Sequence, residues 1–578
     1  MPFCQEDCKC SFIGFLVVAN SFLDGGEGEK LQHLLESRAS RMSNWLTPWW
    51  VDEAYLKSRS RLPTGTNTAL MFPRWNYSGM EGQVDAAAKL IHSAAKFYLK
   101  IIHQELPRDK LGKIPLDMEQ YKCLFGTCRI PNVGKDELKF TGDERRPGHI
   151  LIIRNGHIIE MSIFDSDGCL RSFGQIKNEL AGNVIPQTEG VSECPVGSLT
   201  SWGRDSWAEA YAALLGSNSK QLRSIEDSLF VVCLDSEPKP LEGKSELDIQ
   251  AMQCLHGGGS KSNSINRWFD KSVQFIVGSN GLCGVNFEHA PIDAGPVATL
   301  MDYISDCFDR DNFEGEDAKG ATQPTSAIQF TVSDNLRNKV LKASDEFDRV
   351  ACNTEVKMFT FDHFGKDFAR RHNISTDSLM QIGIQLAYYR IYHEHPPTYQ
   401  STTLRQFEGG RTGMVRLPNF QMSMFTYEMT DADEKPSDNE LIHMLQVAAQ
   451  QHKSHTLQTM NGLSMDRHLL GLRLLAEEAG GSIPKIFKSD GFKKMQRYGL
   501  LTSPLPTRHF LPMCYGPSNP DCYTVCYNSQ ENGIHFTVTK FEGGGRPYSS
   551  ERFSEEITSA LMDLYSLLLK ADVTDGKN

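Results

Sequence analysis

Residues Gly281 to Gly295 read GLCGVNFEHAPIDAG: an apolar run ends in Glu288 and His289, ahead of Pro291 and a glycine-containing turn. A histidine placed where a strand gives way to a loop is suited to be a base, since imidazole titrates near neutral pH and loops face ligands. The same spacing fits a packed ring with no chemistry. The second half holds three further loci. FDHFGKDFARRHN brings Lys366, Arg370 and Arg371 together, which suits an anionic phosphate or a solvated basic face. TYQSTTLRQFEGGRTGMVR carries Tyr399, Arg411 and Thr412 around a glycine pair, and SMDRHLLGLRLLAEEA puts Arg467 at the start of a helix. His256 and the three glycines after it resemble the oxyanion loop of esterases. No Gly-x-Ser-x-Gly elbow lies near them, so they read as a tight backbone approach. Spacing alone does not join these loci into one site.

The elements that would position them alternate between helix and strand. Leu31, Leu34 and Leu35 lie on one face of a helix predicted over residues 27–60. Leu90, Ile91, Ala94, Tyr98 and Ile101 mark a second helix over 83–106. HILIIRNGHIIEMSIF is two apolar runs around Asn155-Gly156, a strong hairpin signal. SLFVVCLD reads as a buried strand, and SVQFIVGSNGLCGVNFEH as a second hairpin that leaves His289 just past its end. A polar, Gly- and Asp-rich stretch, 308–326, is the predicted linker. Beyond it lie helices such as TDSLMQIGIQLAYYRIYHEH and 440–458, then the strands DCYTVCYNS and GIHFTVTKF. Strands and helices mix in both halves, which predicts an α/β protein of two domains.

Composition bounds the function. At 578 residues the chain exceeds what one core supports. A net charge of −12 argues against a general nucleic-acid binder and leaves room for a small basic patch. Fifteen scattered cysteines fit reduced thiols, and Cys4, Cys8 and Cys10 lack the second ligand pair of a zinc site. The run SFIGFLVVANSFL is too short for a spanning helix and has no basic lead, and the C-terminus is not of Ser-Lys-Leu type. No transmembrane segment and no targeting address are expected.

Ten stretches, in order, resemble the choline/carnitine acyltransferase family: WLTPWWVDEAYL, GRDSWAEAYAAL, LHGGGSKSNSINRWFDKSVQFIV, FEHAPIDAGP, FGKDF, QLAYYR, PTYQSTTLRQFEGGRT, MDRHLLGL, LTSPLP and YGPSNPDCYTVCYN. The resemblance implies two domains of chloramphenicol-acetyltransferase-like α/β topology with an active-site tunnel between them. Coenzyme A and the amino-alcohol would approach from opposite sides. The implied boundaries are a divergent segment 1–26, an N-terminal domain 27–330 with the catalytic histidine, and a C-terminal domain 331–578 with the coenzyme A and carboxylate sites.

By the same resemblance His289 is the general base and Ser503 the oxyanion donor, with direct transfer and no acyl-enzyme. Asp293 and Arg411 would pair and shape the loop behind His289. Tyr399, Thr412 and Arg467 are the carnitine pattern, because carnitine carries a carboxylate and choline does not. Tyr515 would lie beside the ammonium. Met513 would fill the acyl pocket and favour acetyl, leaving propionyl and butyryl open. Lys366 and Arg370 match the pair that meets the 3′-phosphate of coenzyme A, and Asp377 a contact to its adenine end. Gln400 departs from the family's glutamate, and Gly65 stands where a tyrosine is common. No permanent cofactor or metal is expected; acetyl-CoA is a co-substrate, the partners are small molecules, and the protein is expected to be a monomer. The family implies a mitochondrial setting first, with peroxisome or cytoplasm as others. Choline acetyl transfer, medium-chain carnitine transfer and a non-catalytic acyl-CoA binder are the alternatives.

Overall fold

The computed structural model describes residues 6–141, 148–311, 313 and 317–575. Two mixed sheets organise it. The eight strands of the first run, in spatial order, Ser326–Ala327, His157–Ser162, His149–Arg154, Val231–Asp235, Val273–Gly278, Cys283–Phe287, Thr68–Met71 and Met513–Tyr515. The six of the second run Thr354–Phe361, Ile534–Phe541, Tyr523–Ser529, Leu500–Pro504, Thr398–Thr403 and Thr412–Leu417. Inner strands pair in parallel and outer ones antiparallel. The run VVCLD is buried throughout, as expected of a strand covered on both faces.

Helix Gly79–Ile102 lays its apolar face on one side of the first sheet, packing Leu90, Ile91 and Ala94 against Ile152, Val232 and Phe275. Helix Arg204–Asp227 contributes Trp207 and Leu214 to the core on the other side. In the second half, helices Thr376–Tyr392, Asp438–Met460 and Ser550–Asp575 cover the second sheet. The hairpin predicted at Asn155-Gly156 forms, with φ of 51° and 76°, the two positive values a type I′ turn requires.

The expected helix over 27–60 is broken. Glu27–Ala39 is helical, then Thr47–Val51, then a single π-turn, Asp52–Leu56. The first segment ends at Ala39, and Asn44 starts the next: its Oδ1 accepts from the amides of Leu46 and Thr47 at 3.0 and 2.8 Å, with Pro48 in the first turn. Both ends of the predicted linker belong to regular elements. Its start belongs to helix Ala294–Arg310, and Ser326–Ala327 pairs with Ile159 and Glu160 as an edge strand.

Several pieces of chain cross the expected boundary at 330, among them helix Asp334–Cys352, whose Leu336, Val340 and Ala343 join the first half's core beside Leu199 and Trp202. Strand Met513–Tyr515 from the second half pairs with Thr68–Leu70 at the rim of the first sheet. Conversely, helices Glu6–Asp24 and Glu27–Ala39 pack against the second half, where Phe22, Leu31 and Leu35 meet Leu472, Leu475 and Phe487. Among the described residues no disulfide forms, no His/Cys/Asp/Glu cluster could hold a metal, and no helix is long and apolar enough to cross a membrane. Cys4 and the side chains of Cys8 and Cys10 lie outside the described residues.

The His256 loop is structural. Gly257, Gly258 and Gly259 all have positive φ, and a Cβ on Gly257 would meet the Ser264 amide at 2.6 Å. His256 is fully buried; Nδ1 accepts from the Gly258 amide at 3.1 Å, and Nε2 has no partner among the described residues. Burial lowers its pKa from 6.5 to about 4. Between those values the unfolded chain binds a proton that the folded protein refuses, so stability rises with pH across that window. The effect is on the order of 3 kcal/mol. Thermal melts should show Tm falling as pH drops from about 6.5 towards 4. His256→Asn, which keeps an acceptor for Gly258, should flatten that fall.

Candidate active site

The first-sheet hairpin delivers His289. Strand Cys283–Phe287 ends, the Glu288 amide makes one last bond to Ser272 O (3.1 Å), and the chain turns through His289 before helix Ala294–Arg310. Asp293 is the residue before that helix, yet its carboxylate does not cap it. Both of its oxygens face Arg411, which donates from Nε and Nη2 at 3.0 Å each. Gln120 adds a bond from Nε2 to Asp293 Oδ2 (2.8 Å) and accepts the Asp293 amide (2.7 Å). Arg411 also donates to the carbonyls of His289 and Ala290, both at 2.7 Å. A residue from the second half thus holds the histidine loop of the first.

The imidazole stacks on Tyr55, centroids 5.2 Å apart and planes 18° from parallel, with Phe287 tilted at 5.7 Å. Nδ1 lies 3.6 Å from Asp293 Oδ1, beyond a hydrogen bond, and 24% of the side chain stays open. Burial lowers the histidine's pKa from 6.5; Asp293 opposes that and Arg411 adds to it. Burial alone would raise the Asp293 pKa, but Arg411 outweighs it and keeps the carboxylate ionised. The ring is therefore neutral near pH 7, the state in which a histidine accepts a proton.

Strands of the second sheet carry a second group of the candidate residues. Tyr399 pairs with Leu501, and the next positions along the parallel strands put Ser401 Oγ 3.0 Å from Ser503 Oγ. Arg467 is buried on helix Met465–Glu478. Its guanidinium lies flat on Trp50, 3.4 Å from the ring centroid, with Nε donating to Thr412 O (3.1 Å) and Nη2 to Tyr399 Oη (3.2 Å). Asp466, its neighbour, is gripped by Arg416, which anchors the start of that helix to strand Thr412–Leu417. Among the described residues no carboxylate pairs with Arg467. Met513 and Tyr515 stand on the crossing strand, paired with Leu70 and Thr68; Met513 is buried in the first core and Tyr515 packs at its edge.

The remaining candidates lie apart from His289, around helices Lys366–Arg371 and Thr376–Tyr392. Arg370 is exposed and already pairs with Asp367 at 2.6 Å and Glu531 at 3.4 Å. Lys366 is half-buried, with its amide on Gln530 O (2.9 Å). Asp377 accepts from Gln400 Nε2 at 2.8 Å and from the Tyr527 hydroxyl. Gln400 Oε1 in turn meets His452 Nε2 at 2.7 Å, and His452 Nδ1 meets Ser378 Oγ at 2.8 Å. The glutamine is thus locked beneath the sheet, on the face opposite Tyr399 and Ser401.

Sequence reading passed over Trp50, Tyr55, Gln120 and Ser401. Trp50 and Tyr55 stand in the WLTPWWVDEAYL stretch, where an aromatic cluster beside the π-turn was the available signal. Gly65 cannot host a tyrosine, because a Cβ there would meet Arg61 O at 2.3 Å. The aromatic face against the histidine is Tyr55.

The His289 Cε1 proton, followed by NMR, should titrate below about 6.5. Asp293→Asn removes the carboxylate that opposes the lowering and leaves the Arg411 cation in place, so the value should fall further. A rise in that variant would mean that Asp293 does not act electrostatically on the ring.

A family model described as Choline/Carnitine o-acyltransferase matches residues 9–559. The chain is 35% identical over 547 residues to carnitine O-acetyltransferase from Rattus norvegicus, covering 94% of this chain and 87% of the relative, and 34% identical to that of Homo sapiens at the same coverage. It is 31% identical over 564 residues to choline O-acetyltransferase from Rattus norvegicus, covering 96% and 87%. With the model spanning nearly the whole chain, this protein belongs to the choline/carnitine O-acyltransferase family.

Proposed function

We propose that the protein transfers a short acyl group, acetyl above all, reversibly between coenzyme A and the hydroxyl of carnitine. The observation that carries this reading is Arg467: a buried guanidinium held by a carbonyl, a phenol and an indole face, with no carboxylate partner among the described residues. A buried unpaired cation is costly, and a substrate carboxylate relieves that cost. Tyr399, which accepts from Arg467, keeps its own proton to donate to the same carboxylate, and Thr412 supplies a second hydroxyl. Choline offers no such group.

Neutral His289 takes the proton from the carnitine hydroxyl as that oxygen attacks the thioester carbonyl. The tetrahedral oxyanion is stabilised by Ser503, whose hydroxyl is free to donate when Ser401 donates to it. The C–S bond then breaks, and the proton on His289 passes to the departing thiolate. Asp293 and Arg411 shape the loop and leave the ring neutral at rest. Tyr515 serves as the aromatic wall of the ammonium site. Lys366, Arg370 and Asp377 form the coenzyme A end of a tunnel between the halves, and Arg370 must exchange its carboxylate partners for phosphate. Met513, buried at the crossing strand, closes the acyl side.

Thiol release from acetyl-CoA, with carnitine and choline compared, tests the reading. Carnitine-dependent release should fall roughly 100- to 10,000-fold in His289→Ala. Arg467→Asn should raise the carnitine KM by roughly 30-fold or more and leave that for acetyl-CoA unchanged. Release with choline alone would overturn the carboxylate assignment, and release with neither would point to a binding protein. Met513→Gly should admit octanoyl-CoA; an unchanged chain-length profile would remove Met513 as the gate.

A further inference from the structure

We propose that Arg129 is a positioning residue for the reaction at His289, holding both members of the Tyr55–His289 stack with one guanidinium. The inference rests on His289 being the base. Arg129 lies on strand Thr127–Ile130 and has no solvent exposure at its side chain. It spreads its donors over three acceptors. Nη1 donates to Glu288 Oε1 at 2.9 Å, Nη2 to the Tyr55 carbonyl at 2.7 Å, and Nε to Asp136 Oδ2 at 2.8 Å.

Each contact bears on the imidazole. Glu288 directly precedes His289, and its Oε2 accepts the amide of Ala290 at 2.9 Å, so this carboxylate closes the backbone around the histidine. Arg411 holds the same loop by the carbonyls of His289 and Ala290. Only a planar fork reaches Glu288 and the Tyr55 carbonyl at once; a lysine ammonium cannot span them in the same geometry. The Tyr55 main chain is fixed on the element that carries the ring stacked against His289. Arg129 therefore sets the distance and tilt of the stack, which decide where the imidazole nitrogen meets the substrate. Beyond Asp136 the buried network continues to Arg204, which donates to Asp136 Oδ2 at 2.7 Å and touches neither Glu288 nor Tyr55 among its described bonds. Damage there weakens the same core without altering the contacts to the stack.

The test compares Arg129→Lys, Glu288→Gln and Arg204→Gln by thermal midpoint and by steady-state acyl transfer from acetyl-CoA to carnitine, per folded molecule. Arg129→Lys and Glu288→Gln should lower kcat by roughly 10- to 100-fold through misplacement of the base, with both KM values within about twofold of wild type. Arg204→Gln should lower the midpoint while its folded fraction keeps the wild-type kcat. The proposal is overturned if Arg129→Lys and Glu288→Gln turn over like wild type, or if Arg204→Gln shows the same kcat loss. Should Arg129→Lys not fold, the isosteric Glu288→Gln decides the matter alone. A wild-type protein that releases no thiol with carnitine would sink the reading of His289 itself, a result distinct from an active wild type with indifferent variants.

Discussion

The ion pair between Arg411 and Asp293 is the contact on which the site depends. Arg411 comes from the second half and Asp293 from the loop after the first-sheet hairpin, so one bidentate contact joins the two. It is nearly buried at both ends, and breaking such a pair leaves a charge stranded at a cost of about 3–5 kcal/mol. Its remaining donors bind the carbonyls of His289 and Ala290, which ties the loop's path to the arrangement of the halves. Gln120 secures the pair by bonding both the Asp293 carboxylate and the Gly410 carbonyl next to Arg411. The crossing strand Met513–Tyr515 reinforces the same join through backbone bonds to Thr68–Leu70.

Two guanidiniums near His289 are treated in opposite ways. Arg411 has its carboxylate, and the bond network around it is complete. Arg467 has an aromatic face and neutral acceptors, which orient it without neutralising it. A filled pair holds structure; an unfilled one leaves a buried charge uncompensated. The same distinction separates Asp293, held ionised by Arg411, from the neutral imidazole beside it.

Much of this was legible in residue patterns because strands and turns are locally coded. The Asn155-Gly156 hairpin, the buried run VVCLD and the strand end before His289 all follow from alternation, apolar runs and turn residues. The ordered family stretches carried the candidate residues, from His289 through Arg467. What local pattern could not reveal was long-range. Nothing near Met513 announces that its strand joins the other half's sheet, and nothing near Leu31 places its helix on Leu472. The break after Ala39 was missed because Leu31, Leu34 and Leu35 satisfy the helical period without weighing Asn44, whose side chain captures two downstream amides and restarts the helix at Thr47. Gln120 and Arg129 were invisible for a related reason: their partners stand 173 and 159 positions away.

Strand Thr398–Thr403 shows how closely the parts are coupled. Alternate residues point to opposite faces, so Tyr399 and Ser401 serve the Arg467 and Ser503 side while Gln400 bonds Asp377 and His452 beneath. The parallel partner Leu500–Pro504 obeys the same rule, placing Ser503 beside Ser401 and turning Thr502 down to Gln381. A slip of one residue in either strand would exchange the faces and dismantle both sets of contacts together. The glutamine at 400 suits this arrangement in a way a glutamate would not. Its amide donates to Asp377 while its carbonyl accepts from His452, whereas a second carboxylate would face Asp377 with like charge. The departure at this position is therefore consistent with its surroundings, and the buried network below the sheet keeps the strand above it in register.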